Sequence, residues 1–284
     1  MQNISAPPKN IPDTLYDAFT MHGTIPVYER YFDDRRSSQI HNTSVEYFKI
    51  FELLEKKTFI YYGNEVHSFY DALADYEIHG KNVLIWGLAG CNCDAIAAWK
   101  GAKDIWVVDY NEPICDLENI HVVTHDELKS MTIKFDYAFS FSTFEHDGLG
   151  RYGDPLDPDG DIKAMQYARS VMADQGILFL GVPLGQDALV WNAHRIYGKL
   201  RLPLLVKGWL PKDVYSVYPG KNIFQEPLFT LHQPLIVLQN APDGEPAGQD
   251  LLERLQHAQQ LIRRPPPGTR SGKILLQIVE MLLS

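Results

Sequence analysis

The 284-residue chain is 45% hydrophobic and 12% aromatic, enough to bury one sizeable core and too apolar for a disordered segment. Its net charge of -10 supplies no basic stripe to neutralise a phosphate backbone, so nucleic acid is set aside as a partner. No apolar run approaches the roughly 18–20 residues of a bilayer span, and residues 1–8 lack a charged-then-apolar leader pattern, so a cytoplasmic protein without a transmembrane segment is expected.

Taken in chain order, residues 44–56 place Val45, Phe48, Phe51 and Leu54 at helical spacing, with Ser44 as the N-cap, and a second helix is predicted over 66–75. Residues 1–79 then read as a helical extension that packs on, or lids, the domain C-terminal to it. From Lys81 the texture changes to short apolar runs alternating with helical stretches, the pattern of βαβ units. Strands are predicted at 83–86, 105–108, 121–123, 137–141, 177–181, 214–218 and 235–238. The intervening helices are 94–100 closed by Gly101, 161–172 with Asp161 as N-cap, and a short one at 200–206 interrupted by Pro203.

The fold class expected is therefore α/β, a Rossmann-like seven-stranded and mostly parallel sheet over residues 80–240 with helices on both faces. Residues 241–248 form a Pro/Gly/Asp linker, and 249–262 and 274–283 read as amphipathic and apolar helices. Docking on the protein itself, a homo-oligomer contact and a membrane or partner surface all remain open for them. Cys91, Cys93 and Cys115 are an odd set without a second zinc-like pair, so reduced thiols are expected.

The first segment that carries chemistry is 83–113. A buried strand enters a glycine turn, a helix comes next, and the second strand ends on Asp109. Gly87 and Gly90 let the backbone approach a ligand, and Asp109 can accept two ribose hydroxyl hydrogens. The turn does not supply the Gly-x-Gly-x-x-Gly of a dinucleotide site, and Asp94 sets a negative charge near any pyrophosphate there, which favours a cofactor without phosphates.

With these motifs in place, the chain resembles the class I methyltransferases that use S-adenosylmethionine. Val83-Leu84-Ile85-Trp86-Gly87 matches their first motif and Val107-Val108-Asp109-Tyr110 their ribose-binding acid. Residues 135–146, ending in Glu145-His146, match the fourth-strand motif, and 175–183 the fifth-strand turn. The resemblance implies a cofactor site at Gly87, Leu88, Ala89, Gly90, Asp109, Tyr110 and Ser140. Asp126 stands where the superfamily sets an acid against the adenine amine, or else caps a helix. Three positions depart from the pattern: Ile85 replaces an acid, and Ala89 and Cys91 replace glycines.

More narrowly, 145–155 and 191–198 resemble an uncharacterised methyltransferase-like domain family with nematode and bacterial members. That likeness implies surface-polysaccharide biosynthesis and a glycan or small-molecule hydroxyl as acceptor.

The loop over 145–161 comes after the fourth strand. His146, with Glu145 beside it, is a candidate base for a hydroxyl acceptor. Asp147, Arg151, Tyr152 and Asp154 are candidate acceptor contacts. Asp154, Asp157, Asp159 and Asp161 could instead collect a Mg²⁺ or Ca²⁺ ion, or simply cap and brace the loop. After the fifth strand, Trp191, Asn192, Arg195 and Tyr197 offer rings and polar groups for an acceptor, and His194 is a rival base. A structural use of His194 and Arg195 stays open. So do two other functions, a non-catalytic member acting through a partner and a nucleotide-sugar or NAD enzyme.

Overall fold

The computed structural model describes residues 6–35, 41–56, 67–88, 92–110, 113–215, 233–240 and 277–278. Its elements are α1 (Asp13–Phe19), β1 (Val27–Arg30), β2 (His41–Asn42), α2 (Ser44–Glu55), α3 (His67–Asp75), β3 (Asn82–Trp86), α4 (Cys93–Trp99), β4 (Asp104–Val108), β5 (Ile114–Cys115), β6 (Ile120–Val123), α5 (His125–Ser130), β7 (Phe135–Phe141), α6 (Gly160–Val171), β8 (Met172–Gly181), β9 (Ala188–Asn192), β10 (His194–Ile196), α7 (Leu202–Leu205), β11 (Trp209–Tyr215) and β12 (Leu235–Asn240).

Seven strands form one sheet in the order β11-β12-β8-β7-β3-β4-β6, parallel except for β12, which runs against both neighbours. The chain starts this sheet at β3, moves outward to β4 and β6, and returns to β7 on the other side of β3. The order of strands therefore reverses between β3 and β7. A crevice opens at such a point at the carboxyl ends of the strands.

Alternation along β3 shows how the sheet is covered. Val83 and Ile85 pack with Tyr47 and Leu54 of α2, Phe69 and Ala72 of α3 and Ala95 of α4. Leu84 and Trp86 face the opposite layer, with Leu128 of α5, Met165 and Ala168 of α6 and Leu202 of α7. Both faces of each central strand are buried, which is why these strands read as continuous apolar runs. Ile278, fully buried, joins the second layer.

Several expectations are corrected. The N-cap of α2 is Thr43, not Ser44: its side chain accepts from the Glu46 amide while Glu46 reaches back, a complete capping box. Asp161 does not cap α6; it is fully buried on the second residue of the helix and ion-paired to Arg201. The strand expected at 214–218 begins earlier, at Trp209, with residues 216–218 outside the described residues. The helix expected at 200–206 shrinks to α7, with Pro203 in its first turn where no amide is needed. Cys93 is disulfide-bonded and Cys115 is a free thiol, so the thiols are not all reduced. The helix expected at 249–262 lies outside the described residues.

A second, three-stranded sheet was not expected. β1 pairs in parallel with β9, and β10 returns antiparallel to β9. Phe19, Ile25, Leu149, Leu189 and Trp191 form its own small core. The N-terminal segment thus reaches across the chain and braces the stretch after β8.

Candidate active site at the strand switch

The site begins with the turn after β3. Gly87 adopts φ +76°, a left-handed conformation, and a Cβ there would collide with the Thr143 side chain, so only glycine lets the β3 and β7 ends close together. The next amide, Leu88, donates to Asp109 Oδ2 at 2.9 Å. The carboxylate at the tip of β4 is thereby fixed against the turn. Ala89 and Gly90 lie outside the described residues. Behind the turn, the Tyr47 phenol donates to the buried Asp94.

A cleft opens at this point. Trp86 and Gly87 at the end of β3, Val108, Asp109 and Tyr110 at the end of β4, and Ser142 and Thr143 just beyond β7 form its base, with His125, His146, Asp147 and Tyr152 around it. A wider cavity of about 390 Å³ shares Trp86, Tyr110, His125 and Asp147 and continues to Lys129, Asp154, Asp157, Lys163 and Tyr167. Tyr110 and Asp147 line both, so this pair stands between the two spaces.

The wall opposite Asp109 is the segment after β7. His146 Nδ1 lies 2.6 Å from the Ala193 carbonyl. A carbonyl only accepts, so Nδ1 carries the proton and Nε2 is the basic nitrogen. Burial, helped by the nearby Arg151, pushes this imidazole down to about 3, so it is neutral across the physiological range. Glu145 Oε1 stands 3.6 Å from His146 Nε2, an ion-pair spacing. Burial nevertheless wins, because desolvation lifts the Glu145 carboxyl to about 7 against the hydrogen bond from Ser142 Oγ at 2.8 Å. The two groups form a dyad in which the neutral forms dominate below neutrality.

Asp147 is 5% exposed and its Oδ2 is buried without a hydrogen-bond partner. Desolvation, then the neighbouring Asp154 and Asp161, raise its carboxyl well above the ordinary aspartate range. The loop beyond it is held tight by two glycines: a Cβ on Gly148 would collide with the Asp157 carbonyl, and one on Gly160 would fall 2.7 Å from Gly148 Cα.

Several of the expected site residues serve this loop. Arg195 Nη1 donates to the Asp147 carbonyl at 2.6 Å and the Glu145 carbonyl at 3.4 Å, and its Nη2 to the carbonyls of Asp157 and Pro158 at 3.3 Å. Tyr197 donates to Asp161 at 2.9 Å. Asn192 brackets both backbone groups of Phe32, and Trp191 packs its ring on Phe19 at 5.2 Å. These four side chains are therefore bracing groups behind the cleft and do not line it. Arg151 pairs with Asp34 at 2.7 Å and likewise stands behind. His194 is 6.3 Å from the His146 ring and outside the lining, and burial pushes it down to about 4.

The cation expectation is not supported by the geometry. Asp154 accepts from the amides of Gly150 and Tyr152, Asp157 from the Asp159 amide and Lys163, and Asp161 from Arg201 and Tyr197, while Asp159 is 61% exposed. No three His, Cys, Asp or Glu side chains converge to hold a metal among the described residues. Asp126 is displaced as well: its side chain is 94% exposed and paired with Lys129, while Thr124 caps α5. Ser140 is buried within β7, one full pleat before the Ser142 that does face the cleft.

His125, Trp86, Ser142 and Thr143 were missed. Each sits at, or within two residues beyond, the carboxyl end of a parallel strand, a position that alone would have nominated it. The His125 ring lies 4.8 Å from that of Tyr110 and 5.7 Å from that of Trp86, and burial lowers its affinity for a proton.

An open, doubly covered α/β sheet with a cleft at its strand switch places the protein among Rossmann-like folds. The chain belongs to the family described as "Caenorhabditis protein of unknown function, DUF268", whose model matches residues 82–225. Solved structures similar to it include the N-methyltransferase NodS from Bradyrhizobium japonicum WM9, at 15% identity over 63% of this chain and 95% of that one, with a TM-score of 0.46. An S-adenosylmethionine-dependent methyltransferase from Clostridium acetobutylicum ATCC 824 is 10% identical over 70% and 99%, TM-score 0.44. A putative hemolysin from Streptococcus thermophilus is 10% identical over 72% and 76%, TM-score 0.41. No curated protein matches. Among the described residues no helix is long and apolar enough to cross a membrane.

Proposed function

We propose that the protein is an S-adenosylmethionine-dependent O-methyltransferase acting on a hydroxyl of a sugar, glycan or small molecule, as a cytoplasmic step of polysaccharide biosynthesis. The observation that carries this reading is one cleft at the strand switch with a fixed carboxylate, Asp109, on one wall and a basic imidazole nitrogen of His146 on the other.

The residues fit the nucleoside part of the cofactor. Asp109 has one oxygen committed to the Leu88 amide, and its carboxylate lines the cleft where ribose hydroxyls would donate to it. Tyr110 and His125, 4.8 Å apart, supply ring surface for a base. Trp86 closes the floor. At the amino-acid end Ile85 is apolar and fully buried, so any contact to the cofactor's ammonium must come from elsewhere. When bound, S-adenosylmethionine supplies an electrophilic methyl on its sulfonium.

The chain's own groups then position and deprotonate the acceptor. His146 Nε2 accepts the hydroxyl proton while Nδ1 stays anchored to the Ala193 carbonyl. An ionised Glu145, 3.6 Å from Nε2, stabilises the imidazolium as it forms. The wider cavity holds the rest of the acceptor against Tyr110 and Tyr167. Asp109→Ala should weaken S-adenosylhomocysteine at least tenfold by calorimetry. His146→Ala should leave that affinity within about twofold and abolish methyl transfer to the acceptor. Equal effects of the two substitutions on nucleotide affinity would contradict this division of labour.

A further inference from the structure

The narrow and wide cavities meet at Asp147 and Tyr110, and this boundary holds a feature that the methyl-transfer reading does not use. Asp147 Oδ2 is buried without a hydrogen-bond partner, on a residue that is 5% exposed and lines both cavities. A buried carboxyl oxygen left unmatched is costly, and such a group in a native protein calls for a functional role or a partner that the chain alone does not supply. The cation nearest in function, Arg195, spends its guanidinium on four backbone carbonyls and on Asp161 at 3.7 Å. Burial and the surrounding carboxyls of Asp154, Asp161 and Glu145 favour the protonated form, which carries both a donor and an acceptor.

We propose that Asp147 is the specificity-determining residue for the acceptor, reading through its unmatched carboxyl the hydroxyl next to the one presented to His146, so that the acceptor is a pyranoside with a vicinal diol. A carboxylic acid at this point takes one hydrogen bond from the neighbouring hydroxyl and gives one to it, a pattern that a single-hydroxyl or deoxy acceptor cannot complete. Anionic acceptors gain nothing from it. The position of the pair between the two spaces fits a ring lying in the wider cavity with its diol edge directed at the narrower one. Sites built to hydrogen-bond a substrate hydroxyl discriminate strongly against the analogue without it, because the protein's own buried group is then stranded.

This inference rests on the acceptor side of the proposed function but is tested without turnover. Methyl α-glucopyranoside, methyl α-galactopyranoside and methyl α-mannopyranoside, each with its 2-deoxy or 3-deoxy partner, are titrated into the full chain and followed by saturation-transfer NMR. The same samples are titrated with S-adenosylhomocysteine. At least one intact glycoside should bind about tenfold more tightly than its deoxy partner. Asp147→Asn, isosteric and still both donor and acceptor, should retain that preference within about threefold, and Asp147→Ala should abolish it, with nucleotide affinity unchanged in both. Equal binding of intact and deoxy sugars, no binding of any glycoside to the wild type, or an unaltered preference in folded Asp147→Ala would overturn the proposal. Loss of nucleotide binding in the wild type alone would sink the methyltransferase reading while leaving the diol test intact.

Discussion

Burial sets the chemistry of the Glu145 and His146 pair. The imidazole, pushed down to about 3, is a weak base while Glu145 is protonated. Once Glu145 ionises, near pH 7, a negative charge 3.6 Å from Nε2 makes proton uptake easier. Methyl transfer should therefore rise with pH through about 7 and level off above it, with no falling limb from His146 in this range. Glu145→Gln should remove that rise and leave a low, flat profile in kcat/KM against pH, whereas a rise that survives in Glu145→Gln would assign it to another group. Glu145, His146 and Asp109 were nominated by order in the chain, since each follows a predicted strand. The unmatched Asp147 was not, because a carboxylate in a loop crowded with charged side chains looks the same whether an amide, an arginine or nothing meets it.

Elements explain why the post-β8 segment misled. A tryptophan, asparagine, arginine and tyrosine in close succession suit a sugar cleft or a structural brace equally well by composition. The difference lies in the pairing of β9 with β1, far apart in the chain, which no local pattern reveals. The central βαβ strands were legible for the opposite reason: burial on both faces forces unbroken apolar runs. The brace has an energetic consequence. Asp161 is fully buried between Arg201, with Nη2 at 2.5 Å and Nε at 2.9 Å, and Tyr197 at 2.9 Å, and burial's push upward on its carboxyl is outweighed by Arg195 and Arg201, which hold it below the ordinary value. Breaking a buried pair by removing one partner costs about 3–5 kcal/mol. Asp161→Ala should lower unfolding stability by that amount in urea titrations and loosen residues 145–161 to hydrogen exchange; a loss under about 1 kcal/mol would show that Arg201 and Arg195 find water or other partners.

At the scale of the whole molecule, two layers of helices enclose a sheet whose order reverses once, and the reversal places the ends of β3, β4 and β7 around a single cleft. The second sheet, anchored by β1, fixes the far wall by presenting the Ala193 carbonyl to His146. The acidic balance of the chain, net -10, suits an uncharged acceptor and a cofactor that carries positive charge at sulfur and nitrogen. The first of the glycine positions, Gly87, serves the close approach of β3 to Thr143. The measurement that bears most directly on the central claim is calorimetry of the purified wild-type chain with S-adenosylhomocysteine, S-adenosylmethionine and NAD. Both sulfur nucleotides should bind in the micromolar range and NAD not at all; heat with NAD and none with either sulfur nucleotide would contradict the assignment of the cleft to S-adenosylmethionine.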